Sequence, residues 1–490
     1  MPLTIQQKNL HLLSRAGFGV DAKNIAALSS NSSKEVYTLI ENSSKIKPNY
    51  LDVANNSIKG LLMGIGDVAK IQKGDLTKEQ KQQIQKQSRE DIKSLNISWM
   101  NEMVNSPAQL LEKMSLFWHG HFACRQINIY YQQLLLKEIR ENALGNFGNL
   151  LKAVSKSASM LAFLNAQQNK KQHPNENFAR EVMELFTMGR GNYTENDIKE
   201  VARSFTGWGF NLSGEFIFRK SQHDNNTKTI FNKTGNFDGD DVLNMLLEQK
   251  QTAKYITQKI YKFFVNEEVD KENLNWLADR FYQSNYNIQQ LMNDIFSAKW
   301  FYAEKNMGTK IKSPVELLVG IRRLLPMQIE NDEVLLIFQR ALGQLLFYPP
   351  NVAGWPGGKN WIDSSALMLR LKVPQLFLTD EEIAISLKSD DDQQMGMQEQ
   401  MQGKRKKNAA MMGQNKYRVQ ATIDWNKFNQ QFASVPREKL LDVLEQIVLL
   451  TKPSSLNQNT IEKYIDKSSR ENFIKSATIA LMSTPEFQLC

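Results

Sequence analysis

The sequence predicts a mainly α-helical protein, a large orthogonal bundle of many helices with one small β-hairpin. Apolar residues recur at helical spacing along most of the 490 residues, and no repeat of fixed period is present. Glycine (25) and proline (13), which break helices, are sparse for this length. Leu, Lys, Gln, Asn, Glu and Met fill the stretches between them, and most of these residues favour helices.

The first elements follow from apolar spacing and from residues typical of helix ends. Residues 4–16 place their isoleucine and leucines near one side, before a pair of glycines ends the helix. Residues 78–105 predict a long, exposed helix rich in Lys, Gln and Glu. Ser106 is the expected N-cap of the next helix, Pro107 its first residue, and Gly120 the point where it weakens.

Polar helix starts and one alternating stretch mark the middle of the chain. Asn175 is the expected N-cap of one helix, and Thr194 starts another with Asp197 in the reciprocal capping position. The stretch EFIFR at 215–219 alternates between apolar and polar residues beside a glycine, so it predicts a strand. We therefore place the β-hairpin near 215–230.

Composition divides the chain into three parts. Residues 1–388 form the predicted main helical domain. Residues 389–418 are polar, rich in Met and Gln, and carry a DDD run and a KRKK run, so they predict a disordered insertion that buries too little apolar surface to fold. Residues 419–490 return to helical spacing and predict C-terminal helices packed on the main domain.

The charge balance and the cysteines restrict the class of function. A net charge of +9 attracts anions, but no Lys/Arg stripe with interleaved aromatics or nucleic-acid motif is present, so we expect no nucleic-acid partner. Two cysteines, Cys124 and Cys490, form neither a disulfide framework nor a zinc motif. No stretch is apolar enough to span a membrane. The N-terminus lacks the pattern of a signal peptide, which predicts a cytoplasmic protein.

Residues 173–189, HPNENFAREVMELFTMG, form an amphipathic helix with a strongly polar side. At 100° per residue its polar residues fall together on that side. They are Glu176, Asn177, Arg180, Glu181, Glu184 and Thr187. Two interpretations remain open. The side is either a wet face with ion pairs along the helix, or the wall of a pocket in which a carboxylate serves as general base or metal ligand.

Histidine is rare, and four side chains are candidates for holding a metal ion. His119 and His121 lie two residues apart in FWHGHF, so both reach one ion only if the helix ends at Gly120. His223 and Asp224 lie in a polar loop, either as a base or ligand pair or as a simple turn. The cofactor is unknown, with a divalent metal ion as the candidate.

Five long motifs together resemble the bacterial family of uncharacterised proteins catalogued as domain of unknown function 1800. The motifs stand in this order: HLLSRAGFG (11–19), EKMSLFWHGHF (112–122), HPNENFAREVMELFTMGRGNYTENDIKEVARSFTGW (173–208), QHDNNTKTIFNKTGNFDGDDV (222–242) and PPNVAGWPGGKNWI (349–362). The resemblance implies a mostly helical fold and a sulfatase-like partner exported through the twin-arginine route. Many relatives carry a signal peptide, so it also raises export of this chain on a partner.

The resemblance favours a functional role for residues at motif positions. Our first hypothesis is an enzyme of hydrolytic or related type, with a polar pocket where the 173–189 helix meets the FWHGHF turn and the His-Asp loop. Its catalytic candidates are Glu176, Glu181, Glu184, His119 and His223. Its substrate-binding candidates are Asn175, Arg180, Arg203, Trp208, Lys228 and Trp355, and its metal candidates are His119, His121, His223 and Asp224. A sulfatase-like partner would suggest acidic or sulfated polysaccharide as substrate.

Two other functions remain as alternatives. A non-catalytic helical scaffold or chaperone for an exported partner fits a chain without a standard catalytic signature, because the motif residues would then form buried polar networks. A redox role linked to a metal or haem is the third, with five histidines and 19 methionines but no haem-attachment motif.

Overall fold

The computed structural model describes residues 3–25, 27–55, 77–378, 382–384, 416–450 and 458–490. In this part of the chain the fold is mainly α-helical, which confirms the predicted class. The α-helices are Ile5–Ala16 (α1), Ala27–Ser30 (α2), Ser33–Ser43 (α3), Lys78–Asn105 (α4), Gln109–His121 (α5), Ile129–Asn142 (α6), Phe147–Lys156 (α7), Ala158–Phe163 (α8), Glu176–Glu181 (α9), Glu195–Ser204 (α10), Gly239–Glu248 (α11), Lys250–Phe264 (α12), Lys271–Gln283 (α13), Ile288–Phe296 (α14), Pro314–Leu324 (α15), Glu333–Leu342 (α16), Ser364–Leu376 (α17), Trp425–Gln430 (α18), Leu440–Val448 (α19), Gln458–Glu462 (α20) and Arg470–Met482 (α21). None of these helices is both long and apolar enough to cross a membrane.

Short strands pair two by two, always antiparallel, within the described residues. The pairs are Trp208–Phe210 (β1) with Phe216–Phe218 (β2), Lys228–Ile230 (β3) with Lys233–Gly235 (β4), Met327–Ile329 (β5) with Ala421–Ile423 (β8), and Glu382–Ala384 (β6) with Lys416–Arg418 (β7). The predicted EFIFR strand is therefore present as β2, and the region predicted to hold one hairpin holds parts of two.

The structure contains the predicted N-caps at Asn175 and Thr194 but not the one at Ser106. Asn175 accepts a hydrogen bond from the Asn177 backbone N–H, and Thr194 and Asp197 form the predicted capping box. The prediction for Ser106 was wrong, because helix α5 starts later, at Gln109. The Gln109 side chain turns back to donate to the carbonyls of the preceding segment, so residues 106–108 are held as a turn.

Two hydrophobic clusters form the interior, and helix α5 lies between them. The first cluster gathers α7 to α14, and the second gathers α4, α15 to α17 and the C-terminal helices. Helix α5 gives Phe117 and Trp118 to the first cluster and Leu116 to the second. Because apolar side chains leave this helix in both directions, almost all of it is buried.

The C-terminal residues contact elements from earlier parts of the chain. Strand β8 pairs with β5, helix α19 contacts α1, and helix α21 packs against α17. Of the predicted disordered insertion, residues 389–415 lie outside the described residues. Its last three residues, Lys416–Arg418, are strand β7. The division of the chain at 388 and 419 stays a prediction.

Candidate functional site

The helix expected at 173–189 changes its hydrogen-bond pattern halfway. Glu176–Glu181 are α-helical, whereas Val182–Thr187 form a π-helix. The wider turn carries Thr187 inward, so it is fully buried and not on the polar side as predicted. Its hydroxyl donates to the Val182 carbonyl over 2.7 Å, so this buried polar group has a hydrogen-bond partner.

Neighbouring helices satisfy the next carbonyls of this π-helix. His121, at the end of α5, lies 3.2 Å through Nε2 from the Phe186 carbonyl oxygen. The Tyr255 hydroxyl of α12 donates to the Leu185 carbonyl over 3.3 Å. The π-helix therefore joins the 173–189 segment to α5 and α12. Such bulges are frequent at functional sites, and periodicity alone does not reveal them.

Two of the predicted acids of this segment, Glu176 and Glu184, lie in ion pairs. Arg180 Nη2 lies 3.2 Å from Glu176 and 2.9 Å from Glu195. Glu184 accepts a hydrogen bond of 2.6 Å from the Tyr193 hydroxyl and another from Arg190. These contacts resemble the wet face that was one of the two interpretations of the sequence.

Glu181 and Glu184 are expected to respond in opposite directions to replacement by glutamine. Burial and the charge of Glu184 raise the pKa of Glu181, so its ionised form opposes folding. The hydrogen bond from Tyr193 lowers the pKa of Glu184, so its ionised form favours folding. We expect Glu181→Gln to raise and Glu184→Gln to lower the free energy of unfolding, each by less than about 1 kcal/mol because both sites are partly solvated.

The pH dependence supplies the control for that pair. The difference for Glu181→Gln should be present at pH 7 and vanish below the unfolded pKa of about 4.3, whereas the difference for Glu184→Gln should start to shrink there and disappear only as the pH falls through its lowered folded pKa. Urea denaturation at pH 7 and pH 3.5 measures both. A loss of stability for Glu181→Gln at pH 7 would contradict the assignment.

His223 and Asp224 belong to a buried network near strand β3. His223 Nδ1 lies 2.9 Å from the Thr206 carbonyl oxygen. The Thr206 hydroxyl accepts from the Asp224 backbone N–H over 2.8 Å, and Arg203 Nε donates to the Asp224 carboxylate over 2.7 Å. Burial would raise the pKa of Asp224, but the Arg203 hydrogen bond outweighs it and the pKa lies below its usual range. The network holds the His-Asp loop against α10.

Lys228 and Trp208, both predicted to bind substrate, lie inside the protein. The Lys228 ammonium donates to the Asp224 carbonyl over 2.6 Å and to the Asn226 carbonyl over 3.2 Å. Trp208 is 2% exposed and packs edge-on against Phe205, with ring centroids 4.8 Å apart. Neither side chain presents a surface on which a ligand could lie.

The two histidines of FWHGHF point into different surroundings. His119 stacks on Trp355, with ring centroids 5.6 Å apart, and also contacts Trp99 and Phe347. Burial lowers the pKa of His119 to about 3, so its ring is neutral. His121 instead faces the π-helix. Within the described ranges no three His, Cys, Asp or Glu side chains are close enough to hold one metal ion.

A cleft of about 810 Å³ opens beside helix α5, and we call it the lysine cleft. The end of α5, helix α12 with residues 265–268, residues 305–316 and the loop 353–361 form its walls. Its charged lining residues are Lys259, Lys262, Lys305, Lys310, Lys359, Glu267, Glu268 and Glu316. Trp355 and Trp361 add aromatic surface, and His121 lies in the wall. The volume is within the usual range of ligand sites.

The Gly-Trp-Pro-Gly-Gly loop is held against α5 by a close backbone contact. Gly354 has φ +81°, and a Cβ at this position would lie 2.3 Å from the Gly120 carbonyl oxygen. Only glycine fits both the left-handed backbone and the short approach. This contact places Trp355 over His119 and lines one side of the lysine cleft.

The floor of the lysine cleft carries an excess of positive charge. Glu316 Oε1 lies 2.5 Å from Lys113 Nζ and 2.5 Å from Lys310 Nζ, and all three side chains are buried. Burial would raise the pKa of Glu316, but the two lysines outweigh it and hold the pKa far below its usual range. Arg15 lies behind the floor, and its Nε and Nη1 atoms have no hydrogen-bond partner in the described structure.

Only some of the residues that line this cleft were candidate site residues in the sequence. Trp355 and His121 were candidates, whereas Lys259, Lys310 and Glu316 were not. The only local signal was the capping box that Ser313 forms with Glu316 at the start of α15, and it predicts a helix start, not a site. The cleft brings together segments about 200 residues apart, so spacing within one segment could not reveal it.

The comparisons with known proteins identify a family but no activity. The family model described as "Protein of unknown function (DUF1800)" matches residues 11–489, nearly the whole chain. No curated protein and no solved structure matches the chain significantly.

Proposed function

Because the chain belongs to the DUF1800 family, whose description assigns no reaction, we propose a function from the site itself. The protein binds an acidic or sulfated polysaccharide in the lysine cleft and acts there as an enzyme of hydrolytic or related type. The main observation behind this proposal is that five lysines, three glutamates and two tryptophans line the same cleft.

The charge of the cleft favours an anionic polymer over a neutral one. Lys262, Lys305 and Lys359 are exposed at the cleft, where they can contact anionic groups along a chain. At the floor, two buried lysines share one carboxylate, which leaves a net positive charge in a region of low dielectric constant. A sulfate or carboxylate supplies the missing negative charge.

The tryptophans favour a sugar over a compact anion such as free phosphate. Trp355 is partly exposed beside the Gly-Trp-Pro-Gly-Gly loop, and Trp361 lies in the same wall. Aromatic faces offer an apolar, flat surface that sugar rings cover on binding. A cleft with cations at its opening and indole rings in its wall thus matches both parts of an anionic sugar.

A non-catalytic scaffold for an exported partner is the second candidate, favoured by one specific observation. Arg203, Asp224, His223 and Lys228 make buried contacts with one another or with the backbone, as expected of a structural network. Under this alternative the chain travels on a sulfatase-like partner, whereas a cytoplasmic protein needs no such partner. Co-purification of that partner with the intact chain supports the scaffold.

Dextran sulfate is expected to bind the protein and to change its tryptophan fluorescence, whereas neutral dextran is not. The double variant Lys262→Ala/Lys359→Ala removes two exposed charges and should weaken the affinity about 2- to 30-fold, at roughly 0.2–1 kcal/mol per exposed ion contact. Added salt should weaken binding further by screening. A fluorescence titration at two ionic strengths measures both effects.

The matched control is Lys199→Ala/Lys220→Ala, which removes two exposed lysines that do not line the cleft. Both double variants change the net charge equally. If the two weaken dextran sulfate binding to the same extent, the attraction is a general effect of charge and the cleft is not the site.

A further inference from the structure

Lys259 differs from every other lysine that lines the lysine cleft. Lys310 is bound to Glu316, Lys305 pairs with Asp270 over 3.0 Å, and Lys262 and Lys359 are exposed. Lys259 is only partly exposed, and no carboxylate pairs with it in the described part of the chain. An ammonium group in such a place is only partly hydrated and has no counter-ion, which destabilises its charged form.

We propose that Lys259 is the general base of the lysine cleft, and that the cleft cleaves uronate-bearing polysaccharide by elimination. This inference rests on the proposed polysaccharide binding and adds the reaction and its base. The geometry points to it through three features: an unpaired amine in the wall, a positively charged floor and a neutral imidazole beside the amine.

His121 completes the surroundings of the amine without competing for the proton. Burial, and then the charge of Lys259, lower the pKa of His121, so the ring is neutral. Its Nε2–H donates to the Phe186 carbonyl, which leaves Nδ1 without a partner in the described structure. On its own helix Lys259 lies 5.5 Å from the centroid of the Tyr255 ring. Burial lowers the pKa of Lys259 to about 8, so a sizeable fraction is neutral at physiological pH.

In the elimination, Lys259 acts first as the base and then as the proton donor. The neutral amine of Lys259 takes the proton from the carbon next to the uronate carboxylate. The released electron pair forms a double bond to the neighbouring carbon, whose bond to the glycosidic oxygen breaks. The leaving oxygen then accepts the proton from the Lys259 ammonium. Negative charge develops on the carboxylate during proton removal, and the cationic floor stabilises it.

Glu316, the buried carboxylate of the cleft, does not suit the role of proton donor in hydrolysis by the usual pair of acids. That mechanism needs one carboxyl group as proton donor and one as base or nucleophile. Glu316 is held ionised by Lys113 and Lys310, so it cannot donate a proton at neutral pH. A lysine base with cationic neighbours instead suits proton removal next to a carboxylate.

The first test measures the amine itself and needs no substrate. Acetic anhydride labelling of the intact protein across a pH series, with mass spectrometry of each lysine, reports the pH at which each amine becomes neutral. Lys259 should reach half-maximal rate near pH 8, because burial lowers its pKa to about 8. Lys262, which lies one turn further along α12 and is exposed, is the reference lysine. Identical pH dependence for the two lysines would overturn the proposal.

The second test measures the reaction with polygalacturonate and alginate. Elimination produces an unsaturated uronate that absorbs in the ultraviolet, whereas hydrolysis releases reducing ends without it. Lys259→Met should lower product formation about 10²- to 10⁴-fold while polymer binding persists, and Lys254→Met, at an exposed position of the same helix that does not line the cleft, should keep most of the activity. Because Lys259→Met buries no charge, its melting temperature should not fall, and equal melting temperatures exclude misfolding as the cause.

The outcomes separate this inference from the proposed binding function. Bound polymer without unsaturated product, or activity that survives in Lys259→Met, overturns Lys259 as the base and leaves polysaccharide binding intact. Failure of dextran sulfate and of both uronate polymers to bind overturns the proposed function as well.

Discussion

Replacing Glu316 with alanine is expected to lower the free energy of unfolding by about 3–5 kcal/mol. The substitution leaves Lys113 and Lys310 in the interior without the carboxylate that both contact at 2.5 Å. It also removes the acceptor that caps the Ser313 backbone N–H at the start of α15. Urea denaturation of the purified variant at pH 7 measures the loss.

A triple variant separates the cost of unpaired charge from the cost of lost volume. Replacing Glu316 with leucine and both lysines with methionine removes the whole ion cluster, and we expect it to be close to neutral or stabilising. If Glu316→Ala alone changes stability by less than about 1 kcal/mol, water or another anion compensates the two lysines, and Glu316 is not their required counter-ion.

The pH dependence of the Glu316→Ala difference follows from the lowered pKa of the carboxyl group. The folded-state pKa lies below the unfolded value, so the ion pairs stabilise the protein fully above the unfolded pKa of about 4.3. The stabilisation is lost only as the pH falls from there towards the folded value. We therefore expect the difference to stay constant from pH 7 to about pH 5 and to shrink in stronger acid.

Trp208→Ala is expected to cost about 3–5 kcal/mol of stability and to leave dextran sulfate affinity unchanged in the molecules that remain folded. The indole ring fills a site between Phe205 and Phe216, with ring centroids 4.8 and 5.1 Å away. It also lies so close to Gly239 that a Cβ there would be 2.2 Å from its Cζ2 atom. Deleting the ring therefore leaves a cavity that the backbone cannot easily close.

Trp208→Phe is the matched control, because it keeps an aromatic ring in the same cluster and should lose much less stability. Thermal melts and fluorescence titrations on both variants distinguish a packing role from a ligand-binding role. A Trp208→Ala protein that stays as stable as the parent chain but no longer binds the polymer would restore the sequence-based hypothesis that this residue binds substrate.

Local features of the fold were predictable because short-range physics determines them. The capping box of Thr194 with Asp197, the N-cap at Asn175 and the strand of EFIFR each depend on residues a few positions apart. The π-helix at Val182–Thr187 was not predicted. His121 and Tyr255, which contact the carbonyls of its last turn, belong to other helices. The hydrophobic periodicity of one segment cannot predict contacts with residues so far away in the sequence.

The candidate site was harder to predict for a related reason. A buried ion cluster such as Lys113, Lys310 and Glu316 looks like ordinary surface charge in the sequence, since each lysine could lie in water. Polar residues in conspicuous motifs, such as Lys228 and His223, were chosen instead, and the structure shows them bonded to backbone carbonyls. These contacts hold a loop in place, so polar residues within a motif can serve loop anchoring and need not bind a ligand.

Helix α5 has a consequence for how the whole molecule loses its structure. Its side chains belong to both hydrophobic clusters, with Phe117 and Trp118 on one side and Leu116 on the other. If the helices around one cluster unfolded alone, the side of α5 that packs in that cluster would be exposed to water. This exposure costs about 25 cal/mol for each Å² of apolar surface. We therefore expect the two hydrophobic clusters to unfold together in the described chain. A fragment that held only one of them would lack part of its hydrophobic core.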